Sequence, residues 1–226
     1  MKSLLNELTV FERLLWLVSA LSLLLSSFLS GSGDVLTLVS SLIGITALLF
    51  VAKGYVIGQV LTIIFAVFYG IISFYFRYYG EMITYLCMTA PIAALTAREW
   101  LRHPYRGTRE VQVSRLSRNQ IQTVVLAAAS ITFLFYFILQ ALGNTNLVVS
   151  TFSITTSFVA AGLTFFRSPY YAVAYAANDL VLIVLWVMAS LEQISYLPMA
   201  VCFVLFFASD LYGFYNWKKI QRKQIH

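Results

Sequence analysis

Eight apolar stretches follow one another through this chain, and they constrain its fold more than any other feature. A helix needs about 20 mostly apolar residues to cross the hydrocarbon core of a bilayer. The sequence is 60% hydrophobic and 11% charged, which is outside the usual composition of soluble domains. We interpret the first stretch as a retained helix rather than a cleaved signal peptide, because Glu7, Glu12 and Arg13 precede it. We therefore predict an all-α integral membrane protein with eight transmembrane helices, at residues 14–30, 35–52, 54–76, 81–99, 119–142, 146–166, 169–189 and 193–216.

The charged residues predict how these helices are oriented. Lys and Arg concentrate in cytoplasmic loops of membrane proteins, and here they cluster in the loop after the fourth helix and in the tail from Lys218 to Lys223. Both clusters should be cytoplasmic, which places Lys2, Lys53, Arg167 and both termini on that side. Asp34, Glu81, Glu192 and the turn at 143–145 then fall outside, and Arg77 alone runs against the rule. We expect a multi-pass protein of the plasma membrane, and the net charge of +6 reflects topology rather than a nucleic-acid partner.

A weak internal repeat relates residues 39–102 to residues 149–219. An offset of 117 residues aligns their ends, Trp100 with Trp217, and pairs Tyr69 with Trp186 and Thr62 with Asp179. Because one helix separates the two units, they should have the same orientation in the membrane. The expected organisation is an N-terminal helix (1–34), a first three-helix bundle (35–102), a basic loop with a connecting helix (103–145), a second, parallel three-helix bundle (146–217) and a basic tail (218–226).

Polar residues share one face of the seventh predicted helix. At 100° per residue, Tyr171, Tyr175, Asn178, Asp179 and Trp186 fall on one arc. An ionised side chain at mid-membrane costs a few kcal/mol and usually faces a bundle interior or an aqueous cavity. The stripe indicates either one wall of a binding site or a polar contact that ties helices together.

The third predicted helix, the repeat mate of the seventh, carries a second stripe. Its small members allow close helix packing, but Gln59 and the hydroxyl groups exceed what packing requires. The stripe consists of Tyr55, Gly58, Gln59, Thr62, Ala66, Tyr69 and Ser73. From the two helices we select a candidate substrate-binding set: Gln59, Thr62, Tyr69, Tyr175, Asn178, Asp179 and Trp186.

The remaining polar residues predict little chemistry of their own. We expect Asp210 to pair with Arg167 or Lys53 at the cytoplasmic surface, and Pro91 to kink the fourth helix. The Ser and Thr residues of the sixth helix can bond to their own backbone, so we leave them out of the site. The sequence shows no cluster of metal ligands and no nucleophile with its base. We therefore predict neither an enzyme nor a bound metal or cofactor.

Five segments follow one another along the chain: Gln59-Val-Leu-Thr62, Tyr69-Gly-Ile-Ile-Ser-Phe74, residues 77–91, residues 177–186 and residues 210–217. In this order they resemble the PnuC family of vitamin transporters, in the form found in Gram-positive bacteria. The tryptophan-rich pattern of the family's seventh helix is reduced here to Trp186, preceded by Tyr170, Tyr171 and Tyr175.

The resemblance implies a fold like that of the SWEET sugar transporters in duplicate, joined by a connecting helix. It also implies facilitated diffusion of nicotinamide riboside, a homotrimer, and substrate contacts from the middle helices of the two bundles. An aromatic cation with a ribose suits rings for cation–π contact and amide or carboxylate acceptors. Thiamine, riboflavin or a nucleoside remains an alternative cargo, and substrate capture for a larger importer remains an alternative role.

Overall fold

The computed structural model of the chain describes residues 7–31, 34–144 and 146–225, and these residues are mostly helical. Lys2, Thr145, His226 and the two chain termini, whose sides of the membrane are predicted above, lie outside the described residues. The helices are α1 (Val10–Leu29), α2 (Val35–Ala52), α3 (Val56–Tyr75), α4 (Tyr79–Ile83), a π-helical segment (Thr84–Thr89), α5 (Ala90–Arg102), α6 (Arg118–Ala141), α7 (Leu147–Phe165), α8 (Tyr171–Glu192), a 3₁₀ turn (Ile194–Tyr196) and α9 (Leu197–Ile225).

The helix count agrees with the prediction of a multi-pass membrane protein. Seven of the helices in the described residues are long and apolar enough to cross a bilayer. The eighth crossing is composite, because α4, the π segment and α5 follow one another without a break from Tyr79 to Arg102. The last helix continues through the basic tail to Ile225.

The irregularity of the fourth crossing lies in the π segment. Pro91 sits in the first turn of α5, and its ring nitrogen has no hydrogen to donate to the carbonyl of Cys87. The six residues immediately before α5 take π geometry, a form that often marks functional positions within helices. The sequence analysis predicted a kink at Pro91 but not the π-helical geometry before it.

The helices pack as two groups of three. In the first group α3 contacts α2, α4 and α5, and in the second group α8 contacts α7 and α9. The groups meet where α2 packs on α9 and α5 packs on α7. The connecting helix α6 lies against α7, while α1 lies against α2 and α9. The interface between the two groups therefore runs through the centre of the molecule, where the polar stripes of α3 and α8 also lie.

Residues related by the 117-residue offset meet at this interface. The indole rings of Trp100 and Trp217 lie 5.5 Å apart between centroids, and Trp186 Nε1 donates to Tyr69 Oη over 2.9 Å. Trp100 Nε1 donates to the carbonyl of Thr164, and Trp217 Nε1 to the carbonyl of Val51. Each tryptophan thus bonds to the first helix of the other group, as expected around a two-fold axis between two repeats.

One end of the molecule carries nearly all the basic side chains. The loop at 103–117 bonds to both neighbouring turns there, because Val111 N donates to the carbonyl of Gly54 and Ser114 N to that of Arg167. Gly54 and Arg167 have matching left-handed φ angles of 69° and 56°. We call this end, formed by residues 53–55, 103–117, 166–170 and 218–225, the basic end. Arg77 is the only Lys or Arg of the described residues at the opposite end.

Candidate functional site

A small cavity lies where the two helix groups meet. Its volume is about 60 Å³, enough for roughly two water molecules at about 30 Å³ each. Small-molecule sites usually measure about 300–1,000 Å³, so a ligand of nucleoside size needs the helices to separate. The lining residues are Gly44, Ala47, Leu48, Val51, Gln59, Thr62, Phe65, Tyr85, Thr89, Ser157, Tyr175, Asn178, Asp179, Phe206 and Asp210.

The cavity brings together five of the seven candidate residues. From α3 come Gln59 and Thr62, and from α8 come Tyr175, Asn178 and Asp179. Their side chains meet because the 3.6-residue period puts each set on one helix face, and the two faces oppose each other across the interface. Tyr85 and Thr89 of the π segment also line the cavity.

Two amide side chains offer hydrogen bonds to a ligand in different ways. Asn178 accepts bonds through its Oδ1 from Thr156 Oγ1 (2.8 Å) and Ser157 Oγ (2.9 Å), which orients its amide. Gln59 is only 4% exposed, yet its side chain makes no hydrogen bond to the other described residues. A buried amide without a partner is uncommon, so Gln59 is well placed to bond to a ligand.

The Ser and Thr residues of α7 contribute more than the sequence analysis predicted. Ser157 lines the cavity and, with Thr156, holds Asn178 in place. The sequence analysis set them aside because such hydroxyls usually bond within their own helix. Thr156 does bond to the carbonyl of Phe152, so the local rule holds here and the contact to α8 adds to it.

Asp210 does not pair with Arg167 or Lys53, and that prediction is wrong. Lys53 Nζ instead lies 3.2 Å from Glu12 Oε2, and Arg167 Nη1 lies 2.9 Å from Glu99 Oε1. The basic residues that mark the surface begin on α9 at Lys218. Asp210 lies two helical turns, roughly 12 Å, before Lys218 and is therefore inside the membrane-spanning part of the helix. It lines the same cavity as Asp179.

Tyr69 and Trp186 do not line the cavity. Each lies seven residues beyond its neighbour in the site, Thr62 or Asp179, and therefore roughly 10 Å further along its helix. Both side chains are fully buried, and Trp186 also packs on Tyr78 with ring centroids 5.0 Å apart. We call the cluster of Tyr69, Phe76, Tyr78, Trp186 and Tyr196 the aromatic closure, because it seals the cavity on the side away from the basic end.

The basic end is sealed by polar and aromatic contacts. Trp100 and Trp217 pack on each other there with their ring planes tilted by 47°, beside the ion pair Arg167–Glu99. We call these four residues the basic closure. Partial burial lowers the pKa of Arg167, and the neighbouring Glu99 carboxylate opposes this effect. With both closures formed, the structure is an occluded conformation.

The Trp217 hydrogen bond supports a prediction about stability. Trp217→Phe removes the donor to the Val51 carbonyl and part of a fully buried ring, so we expect the free energy of unfolding to fall by about 1–2 kcal/mol. Thermal unfolding of the detergent-solubilised protein measures this. Tyr215→Phe is the control, because Tyr215 is exposed on the same helix. Equal unfolding temperatures for the Trp217 variant and the wild type would contradict the role of this contact.

Comparison with known proteins gives consistent matches. The family model described as nicotinamide mononucleotide transporter matches residues 34–219. The chain is 26% identical over 220 residues to the nicotinamide riboside transporter PnuC of Neisseria mucosa, covering 95% of this chain and 83% of that protein. A solved structure, the crystal structure of the vitamin B3 transporter PnuC, superposes with a TM-score of 0.83 at 24% identity, over 96% of this chain and 94% of that chain.

Proposed function

Because the chain belongs to the nicotinamide mononucleotide transporter family, we propose that it carries nicotinamide riboside across a membrane by facilitated diffusion. The observation that supports this cargo best is the charge of the cavity. Asp179 and Asp210 both line it, whereas no Lys or Arg is found among its lining residues in the described part of the chain. A site of this kind favours a cation and disfavours an anion.

The charge of the site distinguishes the riboside from its phosphate ester. Nicotinamide riboside carries a single positive charge on its pyridinium ring, while the mononucleotide adds a phosphate of opposite sign. Phosphate sites use Arg or Lys side chains or helix N-termini, and the cavity offers two carboxyl groups instead. The family is described by the mononucleotide and the relative by the riboside; the residues of this cavity support the riboside.

The lining residues suit the parts of this cargo. Tyr85 and Tyr175 supply ring faces for cation–π contact with the pyridinium, near the two carboxyl groups. Gln59 and Asn178 supply amide groups for the ribose hydroxyls and the carboxamide. Thr62 already donates its hydroxyl to the carbonyl of Gly58, which leaves its oxygen as an acceptor for the cargo.

Transport follows from opening the two closures in turn. Opening the aromatic closure admits the cargo, and opening the basic closure releases it after the two helix groups rock about their interface. Tyr69 and Trp186 contact the cargo while it passes the aromatic closure, rather than at its resting position. We place the basic end in the cytoplasm of a plasma-membrane protein because Lys and Arg concentrate there.

A homotrimer is our expectation for the assembly. Among the seven apolar helices of the described residues, α1 and α6 have the smallest fractions of buried residues, 22% and 17%, so their apolar faces contact lipid or other copies of the chain. Light scattering of the detergent-solubilised protein, corrected for bound detergent, measures the mass; that of a single chain would contradict the trimer.

Ligand binding to the purified protein tests the cargo. Nicotinamide riboside should raise the unfolding temperature, since a ligand that binds only the folded state stabilises it by mass action. Nicotinamide mononucleotide should bind at least about tenfold more weakly, for loss of roughly 1.4 kcal/mol or more when its phosphate meets the carboxyl pair. Equal affinity for the two ligands, or a response to thiamine alone, would contradict the proposal.

A further inference from the structure

A groove lies between α1 and α2 near the basic end. Its volume is about 440 Å³, within the range of about 300–1,000 Å³ that is usual for small-molecule sites. Trp16 and Leu17 line it from α1, and Leu49 and Phe50 line it from α2, so most of its wall is apolar. Leu17 is 50% exposed, which means that the groove opens to the outside of the helix bundle.

The polar residues of the groove lie at different depths in the membrane. Trp16 Nε1 donates to Thr46 Oγ1 over 3.0 Å and joins the two helices at the deeper end. Arg13 also lines the groove and precedes Trp16 by three residues, roughly 4.5 Å along α1. Its neighbour Glu12 is bonded to Lys53 of the basic end. Arg13 is therefore at the level of the lipid headgroups, and the indole of Trp16 is at the membrane interface, where tryptophan is enriched.

Arg13 forms no ion pair within the described part of the chain. The two glutamates nearest to it in the sequence bond to other cations: Glu7 Oε1 accepts from Arg109 Nη1 over 2.7 Å, and Glu12 accepts from Lys53 Nζ. Glu12 is 1% exposed, whereas Arg13 is exposed, so the two neighbours point to different sides of α1. The guanidinium group of Arg13 is therefore available to an anion beside the groove.

A phospholipid with an anionic headgroup matches both parts of the groove. An acyl chain suits the apolar wall, and a phosphate group suits the planar guanidinium of Arg13, which can donate two parallel hydrogen bonds to it. The cytoplasmic leaflet is rich in anionic lipids, and basic pockets between transmembrane helices on that side bind their headgroups. A zwitterionic lipid offers the same phosphate but adds a positive group that the guanidinium repels.

We propose that the groove binds one anionic phospholipid, with an acyl chain between α1 and α2 and the phosphate at Arg13. The site is separate from the central cavity, since none of the residues that line the cavity also lines the groove. Only 22% of the residues in the apolar part of α1 are buried by the rest of the chain. A bound lipid therefore adds apolar contact to the helix where the chain itself supplies little and stabilises the packing of α1 on α2.

Quenching of tryptophan fluorescence by brominated lipids tests the site. The chain has four tryptophans, of which Trp100, Trp186 and Trp217 are buried, so Trp16 is the one that a brominated acyl chain in the groove reaches. In the detergent-solubilised protein, brominated phosphatidylglycerol should quench at a mole fraction about fivefold lower than brominated phosphatidylcholine, as expected for one basic residue beside an anionic headgroup. Trp16→Phe should remove this quenching. Inorganic phosphate should not displace the lipid, because it has no acyl chain.

Two matched variants assign the lipid preference to Arg13. Arg13→Gln removes the charge at the groove, so the two brominated lipids should quench at nearly equal mole fractions. Arg115→Gln makes the same chemical change at an exposed position of the basic end and should keep the preference for phosphatidylglycerol. A preference that persists in the Arg13 variant, or that is lost in the Arg115 variant as well, would overturn the assignment.

The wild-type protein alone also decides the question. Equal quenching by the two lipids would show ordinary contact with the bilayer and would overturn a specific site. Absence of quenching by either lipid would mean that another copy of the chain covers the groove, and it would overturn the lipid site equally. If the Arg13 variant fails to fold, the comparison of the two lipids on the wild type remains. None of these measurements depends on the cargo that the protein carries.

Discussion

Replacing Asp179 with asparagine is expected to weaken nicotinamide riboside binding roughly ten- to hundred-fold. The substitution keeps the size of the side chain and removes its charge, and a charged hydrogen-bonding contact contributes about 1.5–3 kcal/mol. Asp179 lines the cavity at 3% exposure, so water compensates the lost contact poorly. The measurement is the Kd of the purified variant, together with the initial rate of riboside uptake into liposomes.

Two controls isolate the effect of charge at Asp179. Glu192→Gln changes an exposed acid on the same helix and should bind like the wild type. The neutral dihydro form of the riboside should lose much less affinity for the Asp179 variant than the cation does. Unchanged riboside affinity in a folded Asp179 variant would remove this residue from the site.

Replacing Trp186 with alanine is expected to open the aromatic closure and to destabilise the protein. The indole is fully buried, donates to Tyr69 Oη and packs on Tyr78. Truncation of a buried tryptophan costs about 3–5 kcal/mol in soluble proteins, so thermal unfolding should shift to a clearly lower temperature. Because the closure loses its largest ring, the occluded conformation should also become less populated.

Reaction of Cys202 with a water-soluble thiol reagent reports the opening. Cys202 is fully buried in the same core cluster as Tyr69 and Trp186, whereas Cys87 is exposed and is first replaced by serine. Cys202 should react slowly in this background and much faster after Trp186→Ala. Trp186→Phe keeps a ring in place and serves as the matched control. Equal reaction rates for the alanine and phenylalanine variants would contradict the gating role of the indole.

Sequence patterns predicted the crossings because each transmembrane helix must satisfy its backbone internally and expose apolar side chains to lipid. The helix that carries Asp179 was predicted at 169–189 and is observed at Tyr171–Glu192. The π segment at Thr84–Thr89 was not predicted, since hydropathy does not depend on whether a carbonyl bonds four or five residues ahead. Pro91 indicated only that one backbone hydrogen bond of the helix would be missing.

The sequence predicted which residues of the site share a face of one helix, but it did not predict which residues of different helices meet. Helical periodicity put Gln59 with Thr62 and Asn178 with Asp179 on common faces, and these faces do meet at the cavity. The position of Asp210 in the same cavity as Asp179 depends on the rotation of α9 against α8 and on the depth of Asp210 in a helix that continues to Ile225. Neither quantity can be obtained from residue spacing, so the charge pattern favoured a surface ion pair.

Residues that line the cavity and residues of the aromatic closure lie on the same helix faces but at different depths along the helices. The stripes correctly grouped Tyr69 with Thr62 and Trp186 with Asp179 on the interface side of their helices. Periodicity gives direction around a helix, but the level of a residue relative to a cavity depends on how neighbouring helices pack. The 117-residue offset carried more information, because it paired Tyr69 with Trp186, which share a hydrogen bond in the structure.

Uptake of labelled nicotinamide riboside by the purified protein in liposomes tests the central claim most directly. The account predicts saturable entry that needs neither ATP nor another protein, stops when internal and external concentrations are equal at equal pH, and is reduced at least about tenfold by Asp179→Asn. Excess unlabelled mononucleotide should compete poorly. Liposomes that take up no riboside, or that take up the mononucleotide equally well, would contradict it.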